Sequence, residues 1–199
     1  MPLQPKNPRE PQRWSLAGSW RLGAGGNWQC PLYNPRVSST PVTLALDATG
    51  IPYTLHLHDH PIRSLEQAAA ERGLRPEQIV RTLVFRLEGD AYVLVLAPGP
   101  GQVSWPRLRK HLGVSRLTTA TPEEVERVTG YLPGAVSPLG IGRKLRILAD
   151  QRLGLEKEVS IGAGIRNAGV VLRTEDLIRL VQPEFGDFIE GGESPIANR

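Results

Sequence analysis

Two apolar runs that flank the tripeptide Glu88–Gly89–Asp90 constrain the fold of this chain more than any other feature. The runs, IVRTLVF and YVLVLAPG, are rich in β-branched and aromatic residues and are each long enough to form one strand. Two such runs around a glycine-containing turn predict an antiparallel β-hairpin. Arg81 is a charge inside the first run, in alternation phase with Leu83 and Phe85. Its side chain either extends to the rim of the sheet or faces a polar cavity.

Helices and strands are predicted on both sides of this hairpin. Thr40 followed by Pro41 is typical of a helix N-terminus, and Gly50 of the end of that helix. The other predicted helices begin at Ser64, at Ser104, after Thr121 and near Thr174. Further strands are predicted at Tyr53–His58, Leu145–Asp150, Glu158–Ile161 and Gly169–Leu172. The mixture predicts an α/β (α+β) fold with a mixed, largely antiparallel, barrel-like sheet and flanking helices.

The length of 199 residues suits one domain with terminal extensions. Residues 1–40 contain six prolines and four glycines, which predicts a flexible N-terminal arm. We place the domain at 41–188 and a C-terminal tail at 189–199, with a frayed acidic character from Glu184 onward. The net charge of +4 equals that of the arm, which has five basic residues and one acidic residue. The charge therefore does not identify a nucleic-acid partner for the domain.

Several classes of protein are disfavoured by what the sequence lacks. The single cysteine, Cys30, excludes an intramolecular disulfide framework and a Cys-rich zinc site. No apolar run approaches the roughly 20 residues that span a bilayer, and no secretory leader is recognisable, so we expect a cytoplasmic protein. His56, His58 and His60 would share one face of a strand, but Asp59–Pro61 ends that strand. A polar strand end is therefore favoured over a metal site.

Two glycine-containing loops are candidates for ligand binding. The first, GYLPGAVSPLG at 130–140, can hold its backbone amides towards an anionic group or a developing oxyanion. The second, GAGIRN at 162–167, follows a predicted strand and permits a ligand to approach the backbone closely. Composition and spacing are equally compatible with plain turns at both places.

The order of these segments is specific enough to indicate a family. The Ala-rich helix, the hairpin, RLRKHLG and then TPEEVERVTGYLPGAVSPLG resemble the YbaK/EbsC family of aminoacyl-tRNA deacylases, whose fold also occurs as the editing insertion of bacterial prolyl-tRNA synthetases. The resemblance extends from about Val42 to Phe188. Its most diagnostic part is TGYLPGAVSPLG, in which the GxxxP element of the family is Gly134–Pro138.

This resemblance implies an α/β editing domain that hydrolyses the ester of a mischarged aminoacyl-tRNA with a water molecule, without metal or cofactor. It implies that Arg81 stands where the family has a lysine that positions the terminal adenosine or the carbonyl group. Together with Arg81, Gly134 and Ala135 are then the candidate catalytic residues. The candidate substrate-binding residues implied by the same comparison are His58, Ser137, Pro138, Gly140, Gly162, Gly164 and Arg166.

The chain departs from the family pattern at three positions. Arg81 replaces the lysine, and an arginine cannot act as a neutral base. In the segment where the family has SGGKRGLDIEL, the serine becomes Gly162 and the aspartate becomes Gly169. Two functions therefore stay open, a trans-editing deacylase and a catalytically impaired module that binds tRNA, a nucleotide or a protein.

The expected partner is the tRNA 3′ end, with a weak synthetase contact possible under either function. Two basic clusters are candidates for phosphate contacts, and solvated surfaces are an equally good explanation of them. Their members are Arg107, Arg109, Lys110 and His111 in one cluster, and Arg143, Lys144 and Arg146 in the other.

Overall fold

A computed structural model describes residues 39–190 together with two strands of the N-terminal arm, β1 (Arg21–Leu22) and β2 (Trp28–Gln29). These two strands pair antiparallel and belong to a compact unit that spans residues 1–33. The remainder of the arm, and the predicted tail beyond residue 190, lie outside the described residues. Their predicted flexibility stays a prediction.

The main unit contains five helices and eight strands among its described residues. The helices are α1 (Pro41–Thr49), α2 (Leu65–Glu71), α3 (Trp105–Leu112), α4 (Pro122–Thr129) and α5 (Thr174–Val181). The strands are β3 (Tyr53–Leu57), β4 (Val80–Arg86), β5 (Tyr92–Pro98), β6 (Thr118–Thr119), β7 (Arg146–Asp150), β8 (Glu158–Gly162), β9 (Ala168–Arg173) and β10 (Glu184–Gly186). Short 3-10 helices occupy Pro76–Gln78 and Gln151–Leu155. No helix of the described part is long and apolar enough to cross a membrane.

The predicted hairpin is the centre of a five-stranded sheet. Strands β4 and β5 pair antiparallel along their whole length, from Val80–Pro98 to Arg86–Tyr92. Strand β7 adds parallel to β5, and the full order is β10-β7-β5-β4-β6. Every residue of β5 is buried because apolar clusters cover both faces of the sheet. Val93 and Val95 pack on the face that carries α3, whereas Leu94 packs against α4 on the other face.

A second, three-stranded sheet has the order β3-β9-β8 and is entirely antiparallel. The mixed, largely antiparallel fold with flanking helices is thus confirmed, but the described strands do not close into a barrel. Strand β4 pairs with β5 on one side and with β6 at its far end on the other. Among the described residues, backbone pairing between this region and β8 is the isolated parallel bridge between Ile79, the residue before β4, and Ser160.

The predicted helix N-termini have clear local causes. The Thr40 hydroxyl accepts from the Thr43 amide, and the Thr121 hydroxyl accepts from the Glu124 amide. Ser64 caps α2 in the same way. The last helix begins at Thr174, as predicted, and its cap residue is Arg173.

The segment after Glu184 is part of the fold, so the prediction of a frayed tail from this residue is wrong up to residue 189. Strand β10 pairs parallel with β7, and Phe188 and Ile189 are buried. One carboxylate oxygen of buried Asp150 accepts from the amides of both residues, at 2.8 and 2.9 Å. A carboxylate at the end of β7 therefore fixes the C-terminal segment against α3.

We predict that Asp150→Ala lowers the free energy of unfolding by about 3 kcal/mol, since two buried amides lose their acceptor. The measurement is urea denaturation followed by circular dichroism. Asp187→Ala is the control, because its exposed ion pair with Arg107 contributes at most about 1 kcal/mol. Equal losses in the two variants would contradict the role of Asp150.

Candidate active site

A cavity of about 690 Å³ lies where the two sheets meet. Its wall is formed by the start of β4, helix α2 with the residues before it, the loop around Gly134, and the ends of β8 and β9. The polar residues that line it are Arg63, Ser64, Arg72, Arg81, Thr82, Ser160, Arg166 and Asn167. Among the described residues of this wall there are four arginines and no Asp, Glu, His, Cys or Lys. The cavity therefore favours anionic or oxygen-rich ligands.

The loop at 130–140 is held to the cavity by a close backbone contact. A Cβ atom at Gly162 would lie 2.5 Å from the Val136 carbonyl oxygen, so only glycine permits this approach. Gly134 lines the cavity with φ +84°, a conformation that favours glycine. The Ala135 amide donates to the Leu132 carbonyl and closes a turn. The Ala135 amide is therefore already hydrogen-bonded within the loop.

Tyr131 fixes the other end of the same loop. Its hydroxyl donates to the Leu139 carbonyl at 2.6 Å, and burial raises its pKa to about 12. Cβ atoms added at Gly140 and Gly164 would lie 2.5 and 2.8 Å from this side chain. Both glycines thus make room for the tyrosine.

Arg81 lies on the cavity wall, and its Nη2 donates to the Gly101 carbonyl. Its Nε and the hydroxyl of neighbouring Thr82 are buried without a protein partner. Burial lowers the pKa of the Arg81 guanidinium, which nevertheless stays charged at neutral pH. The position of Arg81 therefore supports the interpretation that its side chain faces a polar cavity.

A second arginine, Arg72, enters the wall from the end of α2. Its Nε donates to His58 Nε2 at 3.2 Å, and its Nη1 donates to Ser160 Oγ at 2.9 Å. His58 Nδ1 lies 2.6 Å from a carboxylate oxygen of Glu71. A Cβ atom at Gly169 would lie 2.3 Å from Arg72 Cζ, so the guanidinium occupies space that any other residue at 169 would fill.

Four of the predicted site residues line this one cavity, namely Arg81, Gly134, Gly162 and Arg166. The other predicted residues support it from behind or lie beside it: Ala135, Ser137 and Pro138 are buried in the loop, Gly140 and Gly164 contact Tyr131, and His58 contacts Arg72. The prediction missed Arg72, Ser160 and Thr82. Ser160 alternates within a predicted strand, but no sequence pattern marks Arg72, whose burial depends on a residue 97 positions later.

The predicted basic clusters are partly neutralised by the C-terminal segment. Arg107 pairs with Asp187 at 2.7 Å, and Arg146 pairs with Glu184 at 2.6 Å. None of the seven cluster residues lines the cavity. The exposed arginines that line the cavity, and that an RNA phosphate could reach, are instead Arg63 and Arg166.

The three strand histidines do not converge on a metal site. His58 and His60 both pair with Glu71, at 2.6 and 2.9 Å. Burial, followed by the charge of Arg72, lowers the pKa of both His56 and His58. Within the described part of the chain, no group of three or more His, Cys, Asp or Glu residues is arranged to hold a metal ion.

Comparison with known proteins gives matches over most of the main unit. The model of the aminoacyl-tRNA editing domain family matches residues 59–180. The multifunctional Ser/Thr-tRNA deacylase ProXp-y of Escherichia coli K12 is 30% identical over 148 residues, which cover 72% of this chain and 87% of that protein. The proline–tRNA ligase of Limosilactobacillus fermentum is 30% identical over 138 residues, covering 66% of this chain but 24% of the ligase.

A solved structure shows the same fold. The crystal structure of a candidate trans-editing enzyme for prolyl-tRNA synthetase matches with a TM-score of 0.69 and 29% identity. The match covers 76% of this chain and 96% of that one. The chain belongs to the aminoacyl-tRNA editing domain family, as the TGYLPGAVSPLG segment indicates.

We predict that Gly162→Ala destabilises the protein by about 2 kcal/mol, because the added methyl group must displace the Val136 carbonyl. The measurement is the free energy of unfolding in urea. Gly142→Ala is the matched control, since a Cβ atom there meets no atom within 4 Å. It should change stability by less than about 0.5 kcal/mol. A neutral Gly162→Ala would show that the loop does not depend on this contact.

Proposed function

We propose that this chain is a trans-editing deacylase, which hydrolyses the ester between a mistaken amino acid and the 3′ end of its tRNA. The single observation that carries the proposal is the arginine-lined cavity beside the GxxxP loop in a chain of the editing family. The named activity of the E. coli relative supports the same reaction. We expect the chain to act in the cytoplasm, on tRNA released from a synthetase.

The cavity wall limits how the hydrolysis proceeds. The described lining residues include no side chain suited to act as a general base at neutral pH, since arginine stays protonated and the other polar groups are hydroxyls and an amide. His58 does not substitute, because Arg72 donates to its Nε2 and Glu71 binds its Nδ1. Catalysis then depends on positioning and on charge stabilisation.

The residue roles follow from this limit. A water molecule attacks the ester carbonyl carbon, the C–O bond to the ribose breaks, and the ribose oxygen takes a proton, which leaves free amino acid and tRNA. Arg81 would orient the ester or the terminal adenosine and stabilise charge on the carbonyl oxygen. The loop at Gly134 would hold the acyl group, with Gly162 completing that wall. Groups of the substrate assist the proton transfer.

The RNA itself has a natural place at the rim. Arg63 and Arg166 are exposed at the cavity and can bind the phosphates next to the terminal adenosine. Such contacts position an RNA without reading its sequence. A weak contact with a synthetase would supply the choice of tRNA.

The second candidate function is a binding module without turnover. Its motivation is two departures from the family pattern, Arg81 in place of the lysine and Gly169 in place of the aspartate. Measurable tRNA binding without deacylation of any substrate would favour the module. Deacylation of a single mischarged tRNA would exclude it.

We predict that the purified chain deacylates at least one member of a panel of mischarged tRNAs and that Arg81→Ala lowers this rate by about 100-fold, the usual cost of removing one charge-stabilising donor. The measurement is the loss of labelled amino acid from tRNA over time. A chain that depletes no member of the panel would contradict the proposed function.

Arg86→Ala provides the matched control for this variant. Arg86 lies on the same strand but pairs with Glu124 at 2.7 Å and does not line the cavity. Its rate should stay within about twofold of the native chain. Equal losses in the two variants would show that Arg81 acts through stability alone.

A further inference from the structure

The two inner arginines of the cavity differ in how they are held. Arg81 is bonded to a backbone carbonyl, whereas Arg72 is fixed by two side chains, His58 and Ser160. Both are partly buried, while Arg63 and Arg166 at the rim are exposed. The exposed rim arginines can bind RNA phosphates, whereas an inner arginine can bind the part of the substrate that lies deepest in the cavity.

The contacts of Arg72 determine the state of its neighbours. Because a guanidinium only donates hydrogen bonds, His58 Nε2 must accept, and the imidazole proton lies on Nδ1. That proton is donated to Glu71 Oε2 at 2.6 Å. His58 is therefore neutral, and it fixes the orientation of the guanidinium through one ring nitrogen while it binds the Glu71 carboxylate through the other.

The guanidinium retains donors that the described protein atoms do not use. Of its five N–H groups, one binds His58 and one binds Ser160. The remaining three are on a wall that has no carboxylate among its described residues. A ligand with an oxygen acceptor would satisfy them, and a carboxylate would do so in the bidentate geometry that arginine favours.

Gly169 makes this arrangement possible. The absence of a side chain there lets the guanidinium lie against the backbone, with Nη1 and Nη2 at 2.4 and 2.7 Å from the position of a Cβ atom. The family pattern has an aspartate at this position, as noted above. An aspartate side chain at position 169 would occupy the space that the Arg72 guanidinium fills in this structure.

We propose that Arg72 is the specificity-determining residue of the site and binds a side-chain carboxylate of the acyl group, so that the substrates are acidic aminoacyl esters of tRNA. This proposal rests on the proposed deacylase function. An acyl group with a methyl or ethyl side chain leaves the Arg72 donors unpaired, and a site built to bind an oxygen discriminates strongly against such groups.

The test is a comparison of acyl groups on one RNA. A tRNA minihelix is charged with aspartate, glutamate, asparagine, alanine or α-aminobutyrate, and kcat/KM for deacylation is measured for each. We expect aspartyl or glutamyl ester to exceed alanyl and α-aminobutyryl ester by at least about tenfold. An equal or reversed ranking would overturn the proposal, although it would leave the deacylase function intact. Failure to hydrolyse any of these esters, or any tRNA of the wider panel, would instead overturn the function as well.

Variants assign the preference to Arg72. Arg72→Gln should lower kcat/KM for the acidic esters by at least about tenfold and change the alanyl ester by less than about threefold, with partial recovery in Arg72→Lys. The control is Arg75→Gln, because Arg75 is exposed, pairs with Glu156 and lies outside the cavity. It should leave the ranking unchanged. A uniform loss on all esters in Arg72→Gln would show a structural role and overturn the assignment.

A double variant that replaces the basic group of the cavity with an acidic one tests the substrate preference independently. In the double variant R72A/G169D the space vacated by the guanidinium accommodates an aspartate. The acidic esters should then become the poorest substrates, because two carboxylates would face each other. Retention of the native ranking in a folded double variant would contradict the proposal.

Discussion

The antiparallel pairing of β4 with β5 is the constraint on which the rest of the structure depends. It places β5 between β4 and β7, so apolar clusters cover both faces of the sheet. It also leaves the beginning of β4 free to meet β8 at the Ile79–Ser160 bridge. The cavity lies at this junction, and two of its polar residues, Arg81 and Thr82, follow directly from the register of the hairpin.

Local sequence was sufficient for most elements because their causes are local. Helix α4 begins at the capping pair Thr121 and Glu124, and the hairpin turns at Gly89. The missed elements depend on distant partners. Strand β6 has two residues and exists through its pairing with β4, and β10 forms because β7 and Asp150 receive it. A segment rich in glycine and acidic residues carries no local signal of that burial.

The residues of the candidate site also differ in whether the sequence alone can predict them. Gly134, Gly162 and Arg81 were predicted through the resemblance to the editing family, because glycine content alone fits a plain turn and a charge in an apolar run fits a rim as well as a cavity. Arg72 was not, because an arginine at a helix end is ordinarily solvated. Its burial requires Ser160, His58 and Gly169, which come together only in the folded chain. The departure at Gly169, noted from the sequence as a loss, is in the structure the space that the guanidinium occupies.

The most direct test of the account is a structure of the chain with a stable substrate analogue, an amino acid joined by an amide bond to 3′-amino-3′-deoxyadenosine. We expect the analogue to bind in the cavity, with its amide carbonyl within hydrogen-bond distance of the Arg81 guanidinium and its adenosine towards Arg63 or Arg166. Binding outside the cavity, or an amide carbonyl that does not contact Arg81, would contradict the claim that this cavity is the active site with Arg81 at the reacting carbonyl.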